Sequence, residues 1–204
     1  MFDLMSPWES ILDYWFEDGL SRGWPSDPAT RKWFRSTQGD DAEIEHRFGD
    51  AVSAALQQEL VEWERHPESR LALILLLDQF TRHIHRGTAN AFAGDHRAAT
   101  LAVEGLSRQM INRLPLCGQV FFVMPLMHSE DMDLQELCIH TLEKLHKESP
   151  EFAAGHVYNH LASARHHAEI IRRFSRFPHR NQVLGRESTR EELHFLEQTG
   201  RFGQ

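Results

Sequence analysis

Apolar residues recur along most of this chain at spacings of three and four, the mark of helices that bury one face. Ser6-Pro7-Trp8-Glu9 suits a helix start: Ser6 as N-cap, Pro7 at the first helical position and Glu9 as the returning acid of a capping box. The run Ile11, Leu12, Trp15 and Phe16 continues that helix, and Gly19 is its expected stop. A short helix carrying Trp33 and Phe34 is predicted after Asp27-Pro28. Ile44, Phe48, Val52, Leu56 and Val61 predict another from Asp41 to Trp63, ahead of the His66-Pro67 step. Leu71 to Leu77 is apolar at every position and runs on into Asp78-Gln79-Phe80. A helix apolar all round is buried from all sides, so this is the expected centre of the fold. Further helices are predicted over 90–106, 115–127, 132–147, 152–174 and 188–199, the last opened by Ser188 and Glu191 as a second capping box and closed before Gly200. Period-two alternation is missing, and no strand is predicted. The expectation is an all-α single domain over 1–204, of about eight helices whose short links make antiparallel neighbours.

Polar residues interrupt this pattern at three places. Asp78, Arg82 and Arg86 share one face of the central helix and its end, and two wholly apolar turns precede them. Asp78 therefore begins inside the protein, where a carboxylate needs a partner; Arg82 or an arginine from 176–186 is the natural one. The second place is Pro125, which breaks or kinks its helix just before His128, Ser129, Glu130 and Asp131. Capping and the helix dipole explain Ser129 and Asp131. They leave His128 and Glu130 as a histidine beside a carboxylate, an acid/base arrangement. The third is RFPHRNQVLGREST, residues 176–189, where Arg176, His179, Arg180, Asn181 and Arg186 gather around a proline break, approached by a helix whose His167 points with Ile171 and Phe174.

Charge sharpens the picture. The net charge is −8, which makes general affinity for nucleic acid improbable. Residues 165–190 nonetheless hold seven arginines and two glutamates, a net of +5, leaving −13 for the rest of the chain. The longest apolar stretch is far too short for a membrane span and the N-terminus lacks a secretory signal, so a cytoplasmic location is expected. Cys117 and Cys138 lie in apolar helical settings without a paired spacing and read as small buried hydrophobes. His156 and His160 have the spacing of two helical metal ligands, but Val157 and Tyr158 follow His156 where the zinc-protease motif needs Glu; neither a metal nor a cofactor is expected. No nucleophile-elbow, P-loop or dinucleotide signature occurs.

Three segments, LLDQFTRHIHRGTANAFAGD (76–95), FFVMPLMHSEDMDLQ (121–135) and HAEIIRRFSRFPHRNQVLGREST (167–189), closely resemble the bacterial family known as domain of unknown function 924, and ILDYWF (11–16) resembles its opening helix. The resemblance covers nearly the whole chain. It implies an all-helical, tetratricopeptide-like α-α superhelix and implies no activity. The resemblance places the family's motif positions on Asp78, Gln79, Arg82, Arg86, Gly87, His128, Ser129, Glu130, Asp131, Gln135, His167, Arg176, Phe177, Pro178, His179, Arg180, Asn181, Gly185, Arg186, Ser188 and Thr189. Thr81, His83 and Ser175 stand where the family usually has Pro, Asn and Gly, and Met127 stands where it usually has Glu.

Three functions remain open. A binding module would use Asp78, Arg82, Arg86, His167, Arg176, Arg180, Asn181 and Arg186 to hold a small anionic molecule or an acidic peptide end. An enzyme, a hydrolase or transferase of an anionic metabolite, would use His128 or His179 as acid/base, oriented by Glu130 or Asp78, with the arginines holding the negative group; the loss of Glu at Met127 weakens a site centred on 127–131. A buried polar network with no ligand is the third. The sequence leaves the oligomeric state open.

Overall fold

The computed structural model describes residues 7–26, 30, 33 and 37–199, and among these every regular element is helical. Helix α1 (Pro7–Phe16) buries the predicted stripe Ile11, Leu12, Trp15 and Phe16; Ser6 and Phe34 lie outside the described residues. A four-residue turn, α2 (Gly19–Arg22), follows. Helix α3 (Gln38–Leu56) opens with a reciprocal cap: the Asp40 carboxylate accepts the Thr37 N–H at 2.6 Å, while Thr37 Oγ1 accepts the Asp40 N–H at 3.3 Å. It stops well short of Trp63. Beyond the buried stripe of Ile44, Phe48, Val52 and Ala55 the next positions on that face are Glu59 and Glu62, so a longer helix has nothing apolar to bury. Gln58 turns the chain in a left-handed conformation, φ 61°, and Val61 is left exposed on a 3-10 turn.

Pro67 then starts the central element at its first helical position: α4 (Pro67–Leu75), a π-helical turn (Leu76–Phe80) and α5 (Thr81–Ile84) form one rod. Every residue from Ser69 to Thr81 is buried. α1 packs on α4, and α3 packs on the π turn and α5. Helix α6 (Asp95–Ser107) lies across the rod at backbone distance, because a Cβ at Gly94 would sit 2.2 Å from the carbonyl oxygen of Leu77. Only glycine admits that approach, and it brings Asp95 beside the end of the π turn.

Helix α7 (Leu116–Met127) ends two residues beyond Pro125, and the Asp131 carboxylate caps α8 (Met132–Glu148) by accepting the N–H groups of Asp133 and Leu134 at 2.8 and 3.2 Å. Helix α9 (Glu151–Phe174) follows after only Ser149 and Pro150 and packs along α8. Its end is set by Ser175, left-handed at φ 57°; a 3-10 turn (Pro178–Arg180) and a loop lead to α10 (Arg190–Thr199). The cap of α10 lies one residue later than the sequence suggests. Thr189 Oγ1 accepts the Glu192 N–H at 3.2 Å and Glu192 Oε2 accepts the Thr189 N–H at 2.7 Å, leaving Ser188 to bind Asn181.

The apolar interior falls into a main cluster spanning α1 to the middle of α9, and a small one of Ile170, Ile171, Phe177 and Phe195. Cys117 and Cys138 are both buried, as free thiols pushed up to about 12 by burial. Among the described residues no helix is long and apolar enough to cross a membrane.

Candidate functional site

The π turn widens the rod and carries Asp78 and Gln79 inward, where a side chain amid Leu71–Leu77 would ordinarily be aliphatic. Asp78 is 1% exposed. Its Oδ1 lies 2.7 Å from His128 Nδ1 and 3.3 Å from Arg82 Nη1, and its Oδ2 accepts Gln79 Nε2 at 2.6 Å. Burial alone would raise its pKa, but Arg82 and His128 hold it well below the usual carboxylate range. An ionised Asp78 only accepts, so His128 donates to it through Nδ1–H and turns Nε2 away from it.

Asp95, delivered by Gly94, extends the network: its Oδ2 accepts Arg82 Nη2 and Arg180 Nη1, each at 3.0 Å. Arg180 is 6% exposed. Its guanidinium lies between the rings of Phe92 and Phe177, 4.5 Å from each centroid, and donates through Nη2 to the carbonyl of His128 at 2.9 Å. Its Nε has no hydrogen-bond partner among the described residues. Burial brings Arg180 down to about 10, with Asp95 opposing, so it stays a cation at neutral pH.

Asp95, His128 and Arg180 line the polar end of a cleft of about 590 Å³, with Asp78 and Arg82 behind them. Asp95, His96, Ala99, Thr100, Val103 and Glu104 line it along one face of α6; Leu134, Leu184 and Phe92 supply apolar walls, and residues 128–131 and Arg180 close the polar end. From Asp95 to Glu104 is nine helical steps, roughly 14 Å of groove.

The other predicted residues do different things. Glu130 lines the cleft but is saturated from behind: Arg186 grips it through Nη1 and Nη2 at 2.6 and 2.8 Å, and its Oε1 also accepts the Phe177 N–H at 2.8 Å. Those partners hold it below its ordinary value despite burial. Arg186 Nε donates to Asn181 Oδ1 at 3.0 Å, and Asn181 Nδ2 to Ser188 Oγ at 3.0 Å. Arg176 grips buried Glu192 through Nε and Nη2 at 2.6 and 2.8 Å, which lowers Glu192 to about 2. His167 and His179 flank Phe177, with centroids 5.4 Å away in each case, and burial first, then His128 for one and Arg180 for the other, drops them to about 4 and about 3. Arg86 is elsewhere. It bonds Asp41 at 3.0 Å through Nε and Nη2, beside His83, and does not join the cleft.

Sequence reasoning missed Asp95, Phe92 and the α6 face. An acid in the first turn of a helix reads as a dipole partner; the Gly94-Asp95 step was the one clue. No group of three or more potential metal ligands forms among the described residues.

The profile described as "Bacterial protein of unknown function (DUF924)" matches residues 11–200. The chain belongs to the DUF924 family. A solved structure of a protein of unknown function from Agrobacterium tumefaciens, ATU0120, is similar at 35% identity and a TM-score of 0.77, covering 96% of this chain and 99% of that one. No curated protein matches. The DUF924 profile thus takes in both the cleft and the arginine-rich loop, while neither comparison carries an activity.

Proposed function

We propose that this DUF924 protein binds a small organic monoanion with an apolar body, its charged group against Arg180 and His128 and its body along α6. One observation carries the reading: Arg180, a buried cation in the wall of an open cleft, keeps an N–H with no acceptor among the described residues. Buried donors are ordinarily satisfied, and leaving one unmade costs about 1–3 kcal/mol. The charge balance narrows the ligand. Asp95, Glu104, Glu130 and Asp131 face the cleft against Arg180, and Arg82, Arg70 and Arg186 stand behind the first three carboxylates. With Asp78, which shares Arg82, the balance is close to neutral, which disfavours a polyphosphate or an acidic peptide.

The test is a thermal-shift screen of wild type and Val103→Trp, which fills the apolar part of the groove and spares the polar end. Aliphatic and aromatic carboxylates should raise the wild-type midpoint with concentration as mass action requires, and leave Val103→Trp unmoved. No shift with any of them, or equal shifts in both proteins, overturns the reading.

The Asp78–His128 contact favours a second reading on the same cleft, in which His128 Nε2 takes a proton from an attacking water or hydroxyl, as in a hydrolase or transferase. A His128→Gln variant that keeps the ligand shift but loses turnover of an ester of the bound acid would support it.

A further inference from the structure

The contacts at the polar end of the cleft close into a ring that starts and ends at His128. His128 Nδ1 donates to Asp78 Oδ1 at 2.7 Å, and Arg82 Nη1 lies 3.3 Å from the same oxygen. Arg82 faces both oxygens of Asp95, Nη1 at 2.9 Å from Oδ1 and Nη2 donating to Oδ2 at 3.0 Å. Arg180 then donates to Asp95 Oδ2 at 3.0 Å and to the carbonyl of His128 at 2.9 Å. The central rod, α6, the end of α7 and the 3-10 turn at Pro178–Arg180 each supply a member. Turning Asp95 aside would break its contacts to two arginines at once. Arg180 in turn is fixed between Phe92 and Phe177.

The two carboxylates of the ring differ in what they show the cleft. Asp78 is 1% exposed and stands behind His128, whereas Asp95 lines the cavity together with His128 and Arg180. Within the ring, Asp78 and Asp95 balance Arg82 and Arg180. The other carboxylates of the lining are engaged elsewhere: Glu130 by Arg186, Glu104 by Arg70, and Asp131 as the cap of α8. A singly charged head group can settle its charge against Arg180. A doubly charged one brings a second charge to a cation that Asp95 already shares, and like charges held close together in a partly buried site repel strongly.

We propose that Asp95 is the specificity-determining residue of this cleft: its fixed carboxylate admits a head group with one negative charge and rejects one with two on the same apolar body. The inference rests on the monoanion reading above and names the residue that enforces it. A built-in repulsion separates two such ligands where their shared apolar contacts do not. A carboxylate is accepted across the neutral pH range. A phosphate monoester, whose second ionisation lies at about pH 6, is accepted only while it keeps its last proton.

The experiment uses the full chain and titration calorimetry with benzoate and phenyl phosphate, which share a ring and differ in head group. The quantity read is the ratio of their dissociation constants. In wild type, phenyl phosphate should bind the weaker at pH 8, and its disadvantage should shrink by about tenfold per pH unit down to about 6 and then level off. Titration of the cleft histidines acts on both probes and largely cancels in the ratio. Asp95→Asn keeps the shape and an acceptor oxygen but removes the charge; at pH 8 it should move the ratio about tenfold or more towards phenyl phosphate. Asp95→Glu, which keeps the charge, should stay near the wild-type ratio. The pH series on wild type needs no variant and decides the matter if Asp95→Asn does not fold. Benzoate binding with a ratio that is flat in pH, or unchanged in Asp95→Asn, overturns the inference and leaves the monoanion reading standing. An Asp95→Asn protein that binds neither probe makes Asp95 a support for Arg180 and not a discriminator, which overturns it too. If wild type binds neither probe at any pH, the reading and the inference fall together.

Discussion

Two clusters of arginines and carboxylates, built from the same residue types a few ångströms apart, do opposite work. Around the 176–189 loop, Arg176 holds Glu192, Arg186 holds Glu130, and Asn181 links Arg186 to Ser188. These bonds clamp α10 and its small core of Ile170, Ile171, Phe177 and Phe195 onto the end of α9. At the cleft, Asp78, Arg82, Asp95 and Arg180 are joined just as closely, yet Arg180 keeps an N–H with no partner among the described residues, and Arg180 and His128 both line a cavity. Pairing alone therefore does not separate a latch from a site. What separates them is whether any donor or acceptor is left over, and whether it adjoins a cavity.

The largest effect that tests this contrast is at Asp78. Asp78→Ala removes a buried carboxylate from Arg82 and His128 together and should cost about 3–5 kcal/mol in urea unfolding. Arg180→Ala should cost less, about 2–3 kcal/mol, because Asp95 retains Arg82, and it should also abolish any ligand-induced shift. An equal or larger loss at Arg180 would place the weight of the network on the wrong residue. In the latch, Glu192 descends from its ordinary 4.5 to about 2 on pairing with Arg176. A depressed folded value means the stabilisation is complete above about 4.5 and is lost as pH falls towards 2. Arg176 is partly exposed, so the amount is about 1 kcal/mol after solvent screening. Acid titration of wild type should be correspondingly steeper than that of Glu192→Gln. Thr189→Ala should cost about 1 kcal/mol as a lost cap, and Ser188→Ala less. Arg86→Ala, at an exposed pair with Asp41, should change stability by about 0–1 kcal/mol and leave ligand shifts intact.

Much of the helical frame was legible because the stripes are regular: Ile11 to Phe16, the apolar run from Leu71 to Leu75, and the stretch from Leu116 to Met127 all fold as their spacing predicts. Asp78 and His128 stood out as polar groups on apolar elements, and the structure brings them to 2.7 Å. Asp95 did not stand out, since its role depends on Gly94 meeting Leu77 across the fold, and such a contact leaves no local periodicity to read. The α3 boundary misled because Leu56 and Val61 sit near enough to helical spacing to extend a stripe that burial does not continue. The cap of α10 slipped by one residue for a related reason: Ser188 and Thr189 both have an acid three positions on, and only the engagement of Ser188 by Asn181 decides between them.

The π turn at Leu76–Phe80 can also be seen as an extra residue held between two fixed ends. Upstream, Leu71 to Leu75 are locked in the core; downstream, Arg82 is tied to Asp95. Deleting one residue from the turn would restore an ordinary helix but rotate one end by roughly 100° against the other. Either the core stripe or the Arg82 contact would then be lost. A register defect in the middle of the most buried helix is thus kept in place by the very cleft residues it positions.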